Sequence, residues 1–118
     1  MQITEQQEDS VVVLELEGRF DFGARKVFKD AVERFQKEGC SHIIINMEHV
    51  SFVDSSALGL LVIAHQNLKV KQAQLSLVNP QPYVRQVLDL ANVPKMVQIF
   101  PTLQDAKRVS PSPVPVSS

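Results

Sequence analysis

One cysteine is all that the 118-residue chain contains. Cys40 has no partner for an internal disulfide, so oxidative stapling is excluded and a reducing, cytoplasmic setting is the economical expectation. Its neighbours Gly39 and Ser41 give no Cys-x-x-Cys spacing. Together with His42, His49 and His65 it matches no zinc-ligand pattern, so no metal is expected. Charge of one sign is also missing. Twelve Lys and Arg stand against 13 Asp and Glu, a net charge of −1, and basic residues gather only in short pairs such as Lys107-Arg108. Nucleic-acid binding needs a concentrated phosphate-neutralising surface, so that class of partner is not expected. Long hydrophobic runs are absent too. The longest one broken only by glycine is Ala57 to Ala64, far short of the ~20 residues of a membrane span. Met1 to Asp9 is polar and acidic and does not read as a secretory signal. Direct membrane insertion is therefore not expected. Finally, the chain has no Gly-x-Ser-x-Gly elbow, no Ser-x-x-Lys and no glycine-rich phosphate loop with its lysine. Serines 55 and 56 with His49 or His65 as base remain a formal nucleophile arrangement, but the expectation is no enzyme and no cofactor.

What is present is an ordinary globular composition, 44% hydrophobic and 21% charged. This excludes a disordered, collagen-like or coiled-coil chain. The length suits one domain, and a chain this size buries roughly 65% of its unfolded surface. Val11 to Glu17 reads as a strand ended by Gly18, and a shorter strand near 2–7 pairs with it as a hairpin. From Gly23 to Lys37, Ala24, Val27, Phe28, Ala31, Val32 and Phe35 recur at helical spacing on one face, with Gly39 as the stop. His42 to Met47 is short, β-branched and almost continuously apolar, as a strand covered on both faces is. Glu48 to Asp54 then reads as a loop, and a helix follows from Ser55 to Lys69. Gln74 to Val78 is a strand. Asn79-Pro80-Gln81-Pro82 opens a helix whose buried face is Val84, Val87, Leu88 and Ala91. Val97 to Phe100 is a last strand and 102–109 a short helix. Strand alternating with helix after an N-terminal hairpin implies an α/β domain, a mixed β-sheet with helices packed on it. The domain is expected over residues 1–109. Residues 110–118 hold three of the seven prolines and read as a disordered Pro/Ser-rich tail.

The most informative stretch is Val50-Ser51-Phe52-Val53-Asp54-Ser55-Ser56-Ala57-Leu58-Gly59-Leu60-Leu61. Asp54, Ser55 and Ser56 stand where a loop becomes a helix, and one of them serves as its N-cap. The helix that follows is apolar nearly all round in its first half, Ala57 to Ala64. Its surplus, with Leu58 and Val62 the leading candidates, is either covered by a neighbouring helix or exposed for a partner. Gly59, inside the helix at a cost of roughly 1 kcal/mol against Ala, marks either a close approach or a neutral position.

Phe52 to Leu61 resembles the Asp-Ser-Ser/Thr-Gly-Leu-Gly signature of STAS domains, most of all that of bacterial anti-sigma factor antagonists. Leu14 to Asp21 is similar to that family's strand ending in Gly-x-Leu-Asp, and His42 to Met47 to its central strand. The resemblance covers roughly residues 3–108 and implies a single STAS domain. It further implies that Ser55, the serine directly after the aspartate, is phosphorylated by an anti-sigma factor with serine-kinase activity, with Ser56 as the second choice. A PP2C-type phosphatase would reverse the mark. The unphosphorylated form would bind the anti-sigma factor and free the sigma factor. The implied contact surface is Asp21, Phe22, Asp54, Ser55, Ser56, Ala57 and Leu58. Two positions depart from the family pattern: Ala57 stands where Gly is usual, adding a methyl beside the phosphosite, and Phe20 stands where Leu is usual. The alternative within the same family is a STAS-domain subunit partnering a lipid-transport ATPase or another membrane transport system. Monomer and weak dimer are both compatible with the sequence.

Overall fold

The computed structural model describes residues 1–109; the expected tail, 110–118, lies outside them. The elements run β1 (Gln2–Glu8), β2 (Val11–Phe20), α1 (Arg25–Lys37), β3 (His42–Val53), α2 (Ser55–Val70), β4 (Gln74–Val78), α3 (Pro82–Leu90), β5 (Gln98–Phe100) and α4 (Leu103–Arg108). The strands form one sheet in chain order. β1 pairs antiparallel with β2, and every later pair is parallel. This is the mixed α/β sheet that the alternation implied.

The helices lie on both faces of the sheet. The larger core joins Leu14, Leu16, Ile43, Ile45, Leu75 and Leu77 to apolar residues of α1, α2 and α3. Alternation along β3 sends Ile44 to the other face, where it meets Val13, Val78 and Ala106 of α4. β3 is thus covered on both sides, which is why its first half reads as continuously apolar. On α1, Phe28, Ala31, Val32 and Phe35 are buried as their spacing requires, but Val27 is exposed. On α3, Val84 and Leu88 are buried, while Ala91 lies exposed just past the helix.

Both strands that lead to the site are longer than the sequence reading allowed. β2 does not end at Gly18 but runs to Phe20, and Glu48 to Val53 is strand rather than loop. The cause is a pair of bulges. Glu15 and Glu17 face Asn46 and His49, and Gly18 and Arg19 face Val50 and Phe52, so β3 twice carries an extra residue. Gly18 holds φ +105° between these two shifts, a conformation glycine adopts without strain. The expected start of α1 also moves. Phe22 to Ala24 form a 3-10 turn, and the α-helix begins at Arg25.

Candidate functional site at the carboxyl edge of the sheet

Phe20 and Val53 are the last paired residues of two parallel strands, so the segments that follow them leave the sheet side by side. The N–H of Asp54 donates to the Phe20 carbonyl at 3.3 Å. Asp54 is the N-cap of α2. Its Oδ1 accepts from the N–H of Ala57 at 2.9 Å, and its Oδ2 accepts from the N–H of Phe22 at 3.1 Å. One carboxylate therefore caps the helix and ties the β2–α1 turn to it. Asp21 does the same work within that turn. Its Oδ1 accepts from the Gly23 N–H at 3.1 Å, and its Oδ2 takes the Arg19 Nε at 3.3 Å. A Cβ on Gly23 would stand 3.3 Å from Asp21 Oδ1, so the turn closes tightly there.

These bonds bring Asp21, Phe22, Asp54, Ser55 and Ser56 together. Ser55 is exposed and Ser56 half-buried at the first turn of α2. Phe22 is 63% exposed beside them. Ala57 is not part of this surface. It is fully buried against the sheet, because Ala57, Leu61, Ala64 and Leu68 form the seam of α2 that faces the core. Its methyl points inward, away from any partner, which corrects the expectation of a contact there. Leu58 is half-buried and packs on the core. In the first half of α2 Val62 is half-buried and Ile63 reaches solvent, 54% exposed, while Val70 at the end of the helix is exposed as well. Gly59 has open space where its Cβ would be, so no close approach within the chain requires it.

Two arginines complete the site, and the sequence reading gave neither a role. The Arg19 guanidinium lies 4.1 Å from the centre of the Phe52 ring, and that of Arg25 4.8 Å from the Phe22 ring. The signal for the second was Phe22 and Arg25 at i, i+3. Between α1 and α2 runs a groove of about 450 Å³ with Arg25, Lys29, Glu33, Leu60, Ile63 and Asn67 in its lining.

The histidines differ in their surroundings. His42 is buried at the start of β3 with Nε2 2.8 Å from Ser76 Oγ, and burial lowers its pKa to about 4. His49 is exposed, 3.9 Å from Glu48. Burial raises the pKa of the Cys40 thiol. Among the described residues no three His, Cys, Asp or Glu side chains group closely enough to hold a metal ion. No helix among them is long and apolar enough to cross a membrane.

The fold is one that a known family of domains shares. The family model "STAS domain" matches residues 2–106. A STAS-domain-containing protein of Pseudomonas aeruginosa is 34% identical over 88 residues, 75% of this chain and 86% of that one. The anti-sigma F factor antagonist of Paenibacillus polymyxa is 24% identical over 101 residues, 85% of this chain and 86% of that one. Among solved structures, the unphosphorylated anti-sigma factor antagonist SpoIIAA superposes with a TM-score of 0.78 at 26% identity, over 90% of this chain and 93% of that one. The phosphorylated form of SpoIIAA, a Bacillus cell fate determinant, gives 0.72 at 25% identity over 91% and 97%. The chain belongs to the STAS-domain family.

Proposed function

We propose that this protein is an anti-sigma factor antagonist working in a phosphorylation-controlled partner switch. The observation that carries the reading is the exposed Ser55 at the start of α2, pinned in place by Asp54 and adjoining the exposed Phe22. Relatives named as anti-sigma factor antagonists, one of them solved in both phosphorylated and unphosphorylated forms, support it. The unmodified chain binds an anti-sigma factor that is also a serine kinase and so frees the sigma factor. In the same complex the γ-phosphoryl of the partner's ATP passes to Ser55 Oγ; the Oγ–P bond forms, ADP leaves and the hydroxyl proton is lost. A PP2C-type phosphatase restores the hydroxyl by hydrolysis.

The geometry suits such a switch. The acceptor hydroxyl is exposed yet fixed, because Asp54 holds the turn from two sides. Phosphate adds about −1.5 to −2 charges. The first-turn N–H groups of α2 favour that charge within the chain, so the mark leaves the fold intact. The cost falls at the interface, where an unpaired buried charge weakens binding by about 2–5 kcal/mol. That is roughly thirty-fold to a few thousand-fold.

The test is binding with two variants. Ser55→Asp is expected to lose the kinase partner while melting at the wild-type temperature, and Ser55→Ala to bind and accept no phosphate from ATP. A Ser55→Asp chain that binds as the wild type does contradicts the reading. A partner without kinase activity, co-purifying instead with a transport ATPase, favours the constitutive transport subunit.

A further inference from the structure

The inference rests on the Ser55 reading and concerns how the mark acts inside the chain. Arg25 opens α1 and stacks on Phe22 at 4.8 Å. Among the described residues its charge has no acidic partner. The neighbouring cations are engaged differently. Arg19 is paired with Asp21 and stacked on Phe52, and Lys26 is paired with Asp30 at 3.0 Å. Lys29 lies one turn further along α1 and faces the groove with Glu33.

Arg25 is held close to the start of α2 by two independent links. It follows Phe22 by one turn, and the Phe22 N–H is bonded to the Asp54 cap. It also shares the α1–α2 groove with Leu60, and Ser56 precedes Leu60 by four residues on the same helical face. The guanidinium of the site that has no acidic partner among the described residues is therefore tied, through Phe22, to Asp54, the residue before Ser55.

We propose that Arg25 is the internal receiver of the Ser55 phosphate: the mark draws the guanidinium off the Phe22 ring and so takes both groups out of the arrangement the partner binds. An exposed cation–π contact is weak. An arginine–phosphate pair is charge-assisted and bidentate, and it prevails over the ring. The carboxylates of Asp21 and Asp54 repel the phosphate but are fixed by backbone N–H donors. Arg25 is the group that moves. Arg and aromatic residues are the ones on which interface energy concentrates, so displacing this pair unmakes the contact more thoroughly than repulsion alone.

The experiment is a phosphorus-31 NMR titration of the whole chain with phosphoserine encoded at position 55, alone and with Arg25→Gln or Arg19→Gln. Phosphoserine encoded at position 56, on the face of Leu60, is the reference for a phosphate on the Arg25 side. The second ionisation of phosphoserine 55 is expected to fall below its ordinary ~6. It should return upward by roughly half a pH unit, about threefold, in Arg25→Gln and stay put in Arg19→Gln. The Phe22 ring signals should move on phosphorylation only when Arg25 is present. A titration indifferent to Arg25→Gln, or an Arg25 response confined to phosphoserine 56, overturns the inference. Because the phosphate is encoded, the outcome does not depend on whether any host kinase uses Ser55, so failure here and failure of the switch reading are told apart.

Discussion

At the residue scale, the two aspartates that stand before Ser55 and in the β2–α1 turn are structural before they are anything else. Asp54 satisfies the N–H of Ala57 and the N–H of Phe22 with separate oxygens. Losing a cap of this kind costs about 0.5–2 kcal/mol, and the second bond adds roughly another 1 kcal/mol. Asp54→Ala should therefore lower the urea-unfolding free energy by about 2 kcal/mol, and Asp54→Asn by less, since its remaining amide oxygen still caps. Equal stabilities of Asp54→Ala and wild type would show that the carboxylate does not hold the two segments together. The residues Asp54, Ser55 and Ser56 were legible as a helix start because short polar side chains ahead of an apolar run have few other uses. The burial of Ala57 was not legible. In a helix apolar nearly all round, sequence does not say which stripe meets the sheet, and only the seam of Ala57, Leu61, Ala64 and Leu68 settles that a methyl at position 57 points inward.

At the element scale, β3 carries both the success and the failure of the sequence reading. Its first half alternates under two covered faces and was read correctly. Its second half buries Met47, Val50 and Val53, three apart, a spacing that belongs to no regular strand. The two extra residues that β3 inserts against β2 produce it, and bulges of this kind leave no mark in a period-2 pattern. The start of the strand carries a prediction of its own. His42 is buried against Ser76 of β4 and stays neutral, its pKa lowered from 6.5 to about 4 by burial. The unfolded chain then binds the extra proton first. The stability of the neutral form is complete above pH 6.5 and is lost as pH falls toward 4, on the order of 3 kcal/mol in all. Unfolding free energies measured by urea across that window should fall less steeply in His42→Asn than in wild type. Parallel slopes would show that His42 charges without cost.

At the scale of the whole molecule, the mixed sheet with an N-terminal hairpin was legible as a class, since strand–helix alternation leaves few arrangements, whereas the strand order 1-2-3-4-5 comes from the structure. What the class does is to deliver two strand ends, Phe20 and Val53, to one edge. The turn after one and the helix after the other are then locked by Asp54. The base of the site is thus held by hydrogen bonds to Asp54, while Ser55 and Phe22 stand exposed on it. Under the proposed switch, a covalent charge on Ser55 alters recognition without altering the fold. The most direct test is intact-mass and peptide mass spectrometry of the protein taken from its native host, growing and stressed. The switch predicts one phosphate, on Ser55, with an occupancy that changes between the two conditions. No phosphate in any condition, or a phosphate confined to another residue, would contradict it.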